Sequence, residues 1–176
     1  MYFNTAANVD RAVGNVLDRL RAALPEAPAV IVTADHGESL FDEDFLGHGY
    51  ALNDVQTRVP FIVHGLPMTI DEPFGQSELR DQIAAALSAG GSGGPGPRLA
   101  RPAGKVVFQY LGNINRPRQI GFVDGDARTI YDFRRQRVLL PGSSWRRPEQ
   151  LGPDERLRFL ELVHAWERMM LARSAR

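Results

Sequence analysis

A short stretch of the chain concentrates the side chains that are capable of acid–base or metal chemistry. It runs from Thr33 to Glu38 and places a carboxylate next to an imidazole, at Asp35 and His36. Neighbouring side chains of a regular strand point to opposite faces, so these two groups can share a ligand only if the backbone turns. Gly37 supplies the conformational freedom for such a turn. The segment therefore predicts a carboxylate–imidazole pair on a turn.

A second imidazole, His48, stands between two glycines and follows His36 by twelve residues. With Asp35, these histidines make three groups that could bind a cation or an anion. The alternative interpretation of Asp35 and His36 is a hydrogen-bonded turn without a ligand. His64, at the end of a second predicted strand, could approach the set, although we favour a strand-end histidine without a role. His164 is predicted to pack beside the apolar face of the last helix.

The elements that must position these groups follow from hydrophobic periodicity in the first half of the chain. Apolar residues recur every three or four positions from Val9 to Leu24, which is the spacing of an amphipathic helix. Two β-branched runs predict strands that are covered on both faces, as in α/β sheets, where ligands collect at the carboxyl ends of strands. Asp35 follows the first such strand. The predicted elements are a helix from Asn4 or Thr5 to Pro25, strands over 29–33 and 59–63, and a helix over 78–87.

The second half of the chain has a different pattern. Residues 90–104 are rich in Gly, Pro and Ser, which is typical of a linker. Short segments separated by turns follow and predict a small antiparallel sheet. Pro153 suits the first turn of a closing helix that runs to about residue 172. The predicted strands are 106–110, 119–123, 129–133 and 137–140, and the predicted inward face of the closing helix is Leu157, Leu160, Val163 and Met170.

Composition excludes several classes of function. The 176 residues contain no cysteine, which removes disulfides, thiolate metal sites and cysteine nucleophiles, and the apolar runs are too short to span a bilayer. The net charge is zero, but residues 1–88 carry 13 acidic and 5 basic side chains, whereas residues 89–176 carry 8 and 16. Mutual attraction of the halves, solvated faces and an arginine-lined anion site are the open interpretations. Nucleic acid is not an expected partner, because aromatic residues do not interleave with the arginines.

Three blocks of sequence resemble the sulfatase-like branch of the alkaline phosphatase superfamily. They are Thr33–Leu40, Gly47–Gly49 and Gln56–Val63, and the preceding helix, with Tyr2-Phe3-Asn4, Asp10, Val13 and Gly14, is similar to the helix before that motif. The resemblance covers about residues 1–90 and implies an α/β fold that is part of an alkaline-phosphatase-like sandwich. Residues 1–89 would be the carboxy-terminal part of the catalytic domain, 90–104 a linker, and 105–176 a small antiparallel sheet with a closing helix, similar to the family in layout alone.

The resemblance also implies roles for individual residues. Asp35 and His36 would hold a divalent metal ion; zinc or manganese is favoured, because calcium prefers oxygen ligands, and calcium stays an alternative. His48 would contact the transferred anion, protonate the leaving group or hold a second metal, and Arg58 is assigned with it to substrate binding. The substrate would be a sulfate or phosphate ester. The Asp–His pair is closer to phosphoglycerol and phosphoethanolamine transferases, and the absence of a lysine shortly after His48 speaks against a sulfate ester.

The family's nucleophile, a Thr, Ser or formylglycine-forming Cys, lies in an amino-terminal half that would precede these blocks. We therefore expect a carboxy-terminal segment of a metal-dependent hydrolase or phosphotransferase, inactive alone, which pairs with that half or with another copy of itself. Analogy implies a membrane-anchored parent and a periplasmic or extracytoplasmic location, although this sequence contains no signal or membrane segment. The alternative is a non-catalytic sulfatase-like domain that binds anionic head groups or a protein partner, as the arginine-rich second half suggests.

Overall fold

The predicted helices and strands occur in the predicted order, and further short strands and a short helix lie between them. The computed structural model describes residues 2–70, 73–89, 98–99 and 106–174, so the predicted linker over 90–104 lies outside the described residues except for 98–99. The described chain is a mixed α/β structure with small sheets. Its helices and strands, in chain order, are α1 Tyr2–Ala23, β1 Val30–Thr33, β2 Ser39–Leu40, β3 Leu46–Gly47, α2 Asp54–Thr57, β4 Phe61–His64, β5 Thr69–Ile70, α3 Leu79–Ala89, β6 Arg98–Leu99, β7 Val107–Asn113, β8 Arg116–Asp124, β9 Ala127–Asp132, β10 Arg137–Leu139 and α4 Pro153–Ser174.

The first helix is present as predicted, but its apolar face is exposed. None of its described side chains is buried, and Val9, Val13, Val16 and Leu20 all lie in solvent. A helix of this length gains most of its stability in proteins from packing such a face against another element. Among the described helices, none is both long enough and apolar enough to cross a bilayer.

Strands β1 and β4 form a two-stranded antiparallel sheet. The prediction that both strands are covered on both faces is wrong, because β1 is only partly buried and the Ile62 side chain in β4 is 59% exposed. Their register pairs Thr33 with Phe61 and Val30 with His64. His64 therefore lies at the opposite end of β1 from Asp35, which removes it from the candidate site.

The antiparallel sheet predicted for the second half is confirmed. Its strands are adjacent in the order β10-β9-β8-β7, with a register shift between Leu111 and Gly112. Helix α4 packs on β8 and β9. Alternation along β8 directs one row of apolar side chains at the helix. The resulting core contains the buried residues Ile120, Phe122 and Leu162, with Val106, Phe108, Tyr131 and Trp166 partly buried around them.

The predicted inward face of helix α4 is only partly correct, because Val163 and Met170 are partly buried and the other two residues are not. Leu157 and Leu160 are exposed, whereas Leu162 is fully buried. Phe159 and Trp166 pack in line with Leu162, at the helical spacing of three and four residues. His164 is exposed rather than packed. The helix carries two overlapping apolar stripes, and periodicity alone does not say which one meets the sheet.

Replacing Leu162 tests which stripe is inward. We expect Leu162→Ala to lower the free energy of unfolding by about 2–5 kcal/mol, because it leaves a cavity in the core. The control Leu157→Ala, at a side chain that is 62% exposed, should change it by less than about 0.5 kcal/mol. Urea unfolding of the full chain, followed by tryptophan fluorescence, measures both. Equal losses would contradict the observed orientation of α4.

Candidate functional site

The turn after β1 brings the Asp35 carboxylate and the His36 imidazole together. The main-chain N–H of His36 donates to Asp35 Oδ1 at 3.0 Å, which folds the carboxylate back over the turn. The other oxygen, Oδ2, then lies 3.7 Å from His36 Nε2. Behind the turn, the Gln76 amide donates to the Ala34 carbonyl at 2.6 Å and holds the backbone in place. The two groups thus face the same space.

The hydrogen bond of His36 selects the nitrogen that can bind a cation. His36 Nδ1 lies 3.0 Å from the main-chain oxygen of Gly37. A carbonyl only accepts, so Nδ1 carries a proton, and in the neutral ring Nε2, 3.7 Å from Asp35 Oδ2, is the nitrogen with a lone pair for a metal ion. Two donors at the bond lengths of tetrahedral zinc stand about 3.3 Å apart. The observed 3.7 Å between Nε2 and Asp35 Oδ2 therefore fits one shared ion after a small movement.

His48 joins this group through a carboxylate that sequence reasoning missed. Its Nδ1 lies 3.0 Å from Glu38 Oε2, and its ring centroid is 4.1 Å from that of His36, with 32° between the planes. One ligand atom from each of His36, Glu38 and His48 lies within 4.8 Å of the others. The available signal was the position of Glu38 two residues after His36, which directs both side chains to one side of an extended segment.

A short hairpin brings Glu38 opposite His48. Strands β2 and β3 pair Ser39 with Gly47, which places the residues just outside the ladder next to each other. The Ser39 side chain is fully buried, and its hydroxyl lies 2.8 Å from the Phe45 carbonyl and 3.0 Å from that of Asp42. Gly47 has φ +117°, a backbone conformation that side chains with a Cβ rarely adopt. The hairpin therefore needs both the buried hydroxyl and the glycine.

Gln56 holds the two imidazole loops together. Its main-chain oxygen accepts the Gly37 N–H at 2.9 Å, and its side-chain Oε1 accepts the Gly49 N–H at 2.7 Å. Asn53 orients Gln56, because its Oδ1 lies 3.2 Å from Gln56 Nε2 and also accepts the Gln56 main-chain N–H. Since Gln56 is only 4% exposed, water does not replace these bonds. Gln56 thus fixes the separation between the loop of His36 and the loop of His48.

The carboxy-terminal sheet docks on the segment that follows His48. Arg128 donates to the Leu52 carbonyl at 2.6 Å and pairs with Asp54, and Arg118 donates to the Gly49 carbonyl. Burial lowers the pKa of Arg128 from its ordinary value, and the neighbouring Asp54 opposes that change. An arginine stays protonated under such shifts, so the contact is a charged one. These bonds fit the interpretation that the acidic and basic halves attract each other.

Arg58 lies in a different environment from the histidines. Its guanidinium is 3.4 Å from Asp126, and both side chains are exposed. It lines a cavity of about 790 Å³ together with Thr33, Phe61 and Phe74. No hydrogen bond or ion pair found within the described ranges joins Arg58 to His36 or His48, so its assignment to substrate binding stays a prediction.

Comparison with known proteins supports a sulfatase-like family for the first part of the chain. Residues 1–77 match the family described as Sulfatase. The "Uncharacterized sulfatase YidJ" of Escherichia coli (strain K12) is 31% identical over 88 residues, a match that covers 48% of this chain and only 18% of that protein. No solved structure matches the chain. The family match includes Asp35, His36, Glu38 and His48, whereas the carboxy-terminal sheet lies outside it.

A substitution at Gly37 tests how closely the turn after β1 packs against Val55. A Cβ on Gly37 would lie 1.9 Å from the Val55 carbonyl oxygen, whereas one on Gly14 would meet nothing within 4 Å. We expect Gly37→Ala to destabilise the chain by about 1–3 kcal/mol, as overpacking does. Gly14→Ala is the control and should leave stability equal or slightly higher, because alanine favours helix. Urea unfolding decides, and equal midpoints for the two variants would contradict the close approach.

Proposed function

We propose that this sulfatase-like chain supplies the metal- and anion-binding residues of an enzyme that cleaves sulfate or phosphate esters, as a hydrolase or a phosphotransferase. The observation that carries the proposal is the approach of Asp35 Oδ2 to His36 Nε2 at 3.7 Å, with the His48 ring stacked 4.1 Å from that of His36. An alkaline-phosphatase-like sandwich and an extracytoplasmic location belong to the same proposal and rest on the family resemblance.

Asp35 and His36 are the proposed ligands of a divalent metal ion. One nitrogen and one oxygen donor suit zinc or manganese better than calcium, whose ligands are usually all oxygen. Such an ion, when bound, polarises the ester oxygen and stabilises the charge that develops on it. The protein contributes the tautomer of His36, set by the Gly37 carbonyl, and the orientation of the Asp35 carboxylate, set by a main-chain N–H.

His48 is the proposed catalytic residue and anion contact. Its Nδ1 is engaged by Glu38, which leaves Nε2 to bind an anionic oxygen or to donate a proton to the leaving group. Imidazole suits this role because it exchanges a proton near neutral pH. Arg58 is the proposed second substrate contact. An exposed ion pair such as Arg58–Asp126 is worth only about 0–1 kcal/mol, so the guanidinium is free to turn to an anion.

The nucleophile is proposed to come from a partner segment. Ser39 is the serine nearest to the cluster in the sequence, but its buried hydroxyl already bonds to main-chain carbonyls. It is therefore unsuited to attack an ester, and we propose that the full chain is inactive alone. The absence of a lysine shortly after His48 favours a phosphate ester over a sulfate ester.

The non-catalytic alternative receives less support. It relied on the arginines of the second half as a site for anionic head groups. Arg118 and Arg128 instead bond to the segment 49–54, and Arg137 stacks over the Trp145 ring at 5.7 Å. These arginines serve internal contacts, which reduces the positive surface that a head group would meet.

Metal binding tests the site. Loss of a residue that only supports a metal ligand weakens metal binding about 10- to 100-fold, and loss of a ligand itself costs more. We therefore expect Asp35→Asn and His36→Gln each to weaken zinc or manganese binding by more than about 100-fold. His164→Gln is the control, because His164 is exposed on α4, away from the cluster. Equilibrium dialysis of the full chain, with metal content read by mass spectrometry, gives the affinities. Unchanged metal content in both site variants would remove the proposed site.

The exposed face of α1 predicts association. We expect the full chain to aggregate, self-associate or bind the complementary half of a sulfatase-like domain, because Val13, Val16 and Leu20 lie in solvent. Val16→Glu should lower the association constant at least tenfold, whereas Asn15→Glu, one position along the same helix, should not. Sedimentation velocity over a range of concentrations measures this. A monodisperse monomer that unfolds cooperatively would contradict the prediction.

A further inference from the structure

We propose that Glu38 is a positioning residue for His48: its carboxylate accepts a hydrogen bond from the Nδ1–H group and so keeps Nε2 as the nitrogen that exchanges a proton with the ester. The use of Nε2 towards an ester rests on the proposed function, whereas the position of the proton on Nδ1 of the neutral His48 ring does not. In the reacting enzyme, the nucleophile of the partner segment would form a bond to phosphorus or sulfur while the bond from that atom to the leaving oxygen breaks, and the His48 imidazolium would give its Nε2 proton to the leaving oxygen. That oxygen keeps the bonding electron pair, and His48 becomes neutral with Nδ1 still protonated.

The geometry of the pair supports a fixed ring. The 3.0 Å between His48 Nδ1 and Glu38 Oε2 is a hydrogen-bond distance, and an ionised carboxylate only accepts. Nδ1 must therefore be the donor. The His36 ring, at a centroid distance of 4.1 Å, covers one face of the imidazole and restricts its rotation. The ring is thus held at one edge and one face, which leaves the Nε2 edge for a ligand.

The backbone also holds Glu38 in place. Glu38 immediately precedes the fully buried Ser39, whose pairing with Gly47 fixes where the carboxylate begins. A Cβ added to Gly47 would lie 3.7 Å from Glu38 Oε1, so the carboxylate passes directly over the glycine on its way to His48. The missing side chain of Gly47 thus leaves room for the Glu38 carboxylate beside the His48 imidazole.

A direct role of Glu38 as a metal ligand is the competing assignment. Its oxygen belongs to the group of ligand atoms within 4.8 Å, together with those of His36 and His48. The 3.0 Å between Glu38 Oε2 and His48 Nδ1 is a hydrogen-bond distance, however, and a nitrogen that carries the shared proton has no lone pair for a metal ion. A carboxylate that accepts the second N–H of a functional histidine is a recurrent arrangement, and it fixes which nitrogen is free.

Nitrogen NMR of the imidazoles tests the proposal. The full chain, labelled with ¹⁵N-histidine and freed of metal by a chelator, is measured at a fixed pH of about 8, where an ordinary imidazole is neutral. We expect His48 to carry its proton mainly on Nδ1, in contrast to a solvent-exposed histidine, which favours Nε2. Glu38→Met should reverse this ratio. The control Glu43→Met, whose carboxylate in the same hairpin bonds to Asn53, should not.

The outcomes separate this proposal from the proposed function. His48 protonated mainly on Nε2 in the unsubstituted chain, or an unchanged ratio in Glu38→Met, overturns the positioning role. If zinc removes the Nδ1 proton of His48 and Glu38→Met weakens zinc binding as much as His36→Gln, Glu38 is a ligand and the proposal is also overturned. If the chain binds no metal and Glu38→Met still reverses the ratio, the positioning role stands and the proposed metal site fails.

Discussion

A single buried amide, Gln56, sets the distance between the two imidazoles without touching either ring. Its main-chain oxygen holds the loop of His36 through Gly37, and its side-chain oxygen holds the loop of His48 through Gly49. Gln56 is buried, so leaving one of its oxygens without a partner would cost about 1–3 kcal/mol, and both bonds are therefore strongly maintained. The spacing of the two loops that carry the rings therefore depends on Gln56.

The carboxy-terminal sheet reinforces the same constraint from the other side. Leu52 donates its N–H to Gln119, which in turn donates to the buried carboxylate of Asp132. Arg128, only 14% exposed, bonds to the same segment through the Leu52 carbonyl and Asp54. Asp54 is 68% exposed, but its removal would leave the largely buried guanidinium of Arg128 without an ionic partner. The sheet lies outside the family match, yet it orders the segment that follows His48.

The sequence predicted those features that depend on local spacing. The amphipathic repeat marked α1, the alternating segments marked the sheet of β7 to β10, and Gly37 marked the turn that brings Asp35 and His36 together. Features that depend on distant partners were not predictable in this way. The coverage of β1 and β4 depends on which elements pack against them, and the choice between the two stripes of α4 depends on the shape of the sheet. The approach of Glu38 to His48 was missed because it depends on the pairing of β2 with β3, and strands of two residues have no periodic signal.

The groups of the cluster are largely exposed to water. The Asp35 side chain is 87% exposed and that of His48 is 53% exposed. In water, the attraction between such groups and an anion is strongly screened, whereas preorganised donors stabilise a transition state best where water is excluded. The chain sets the tautomers and distances through hydrogen bonds that do not depend on a low dielectric. A surface that covered the cluster would strengthen every charged interaction in it without having to rearrange the groups. The orientation of these groups and the exclusion of water from them are therefore separate contributions. The described residues supply the orientation.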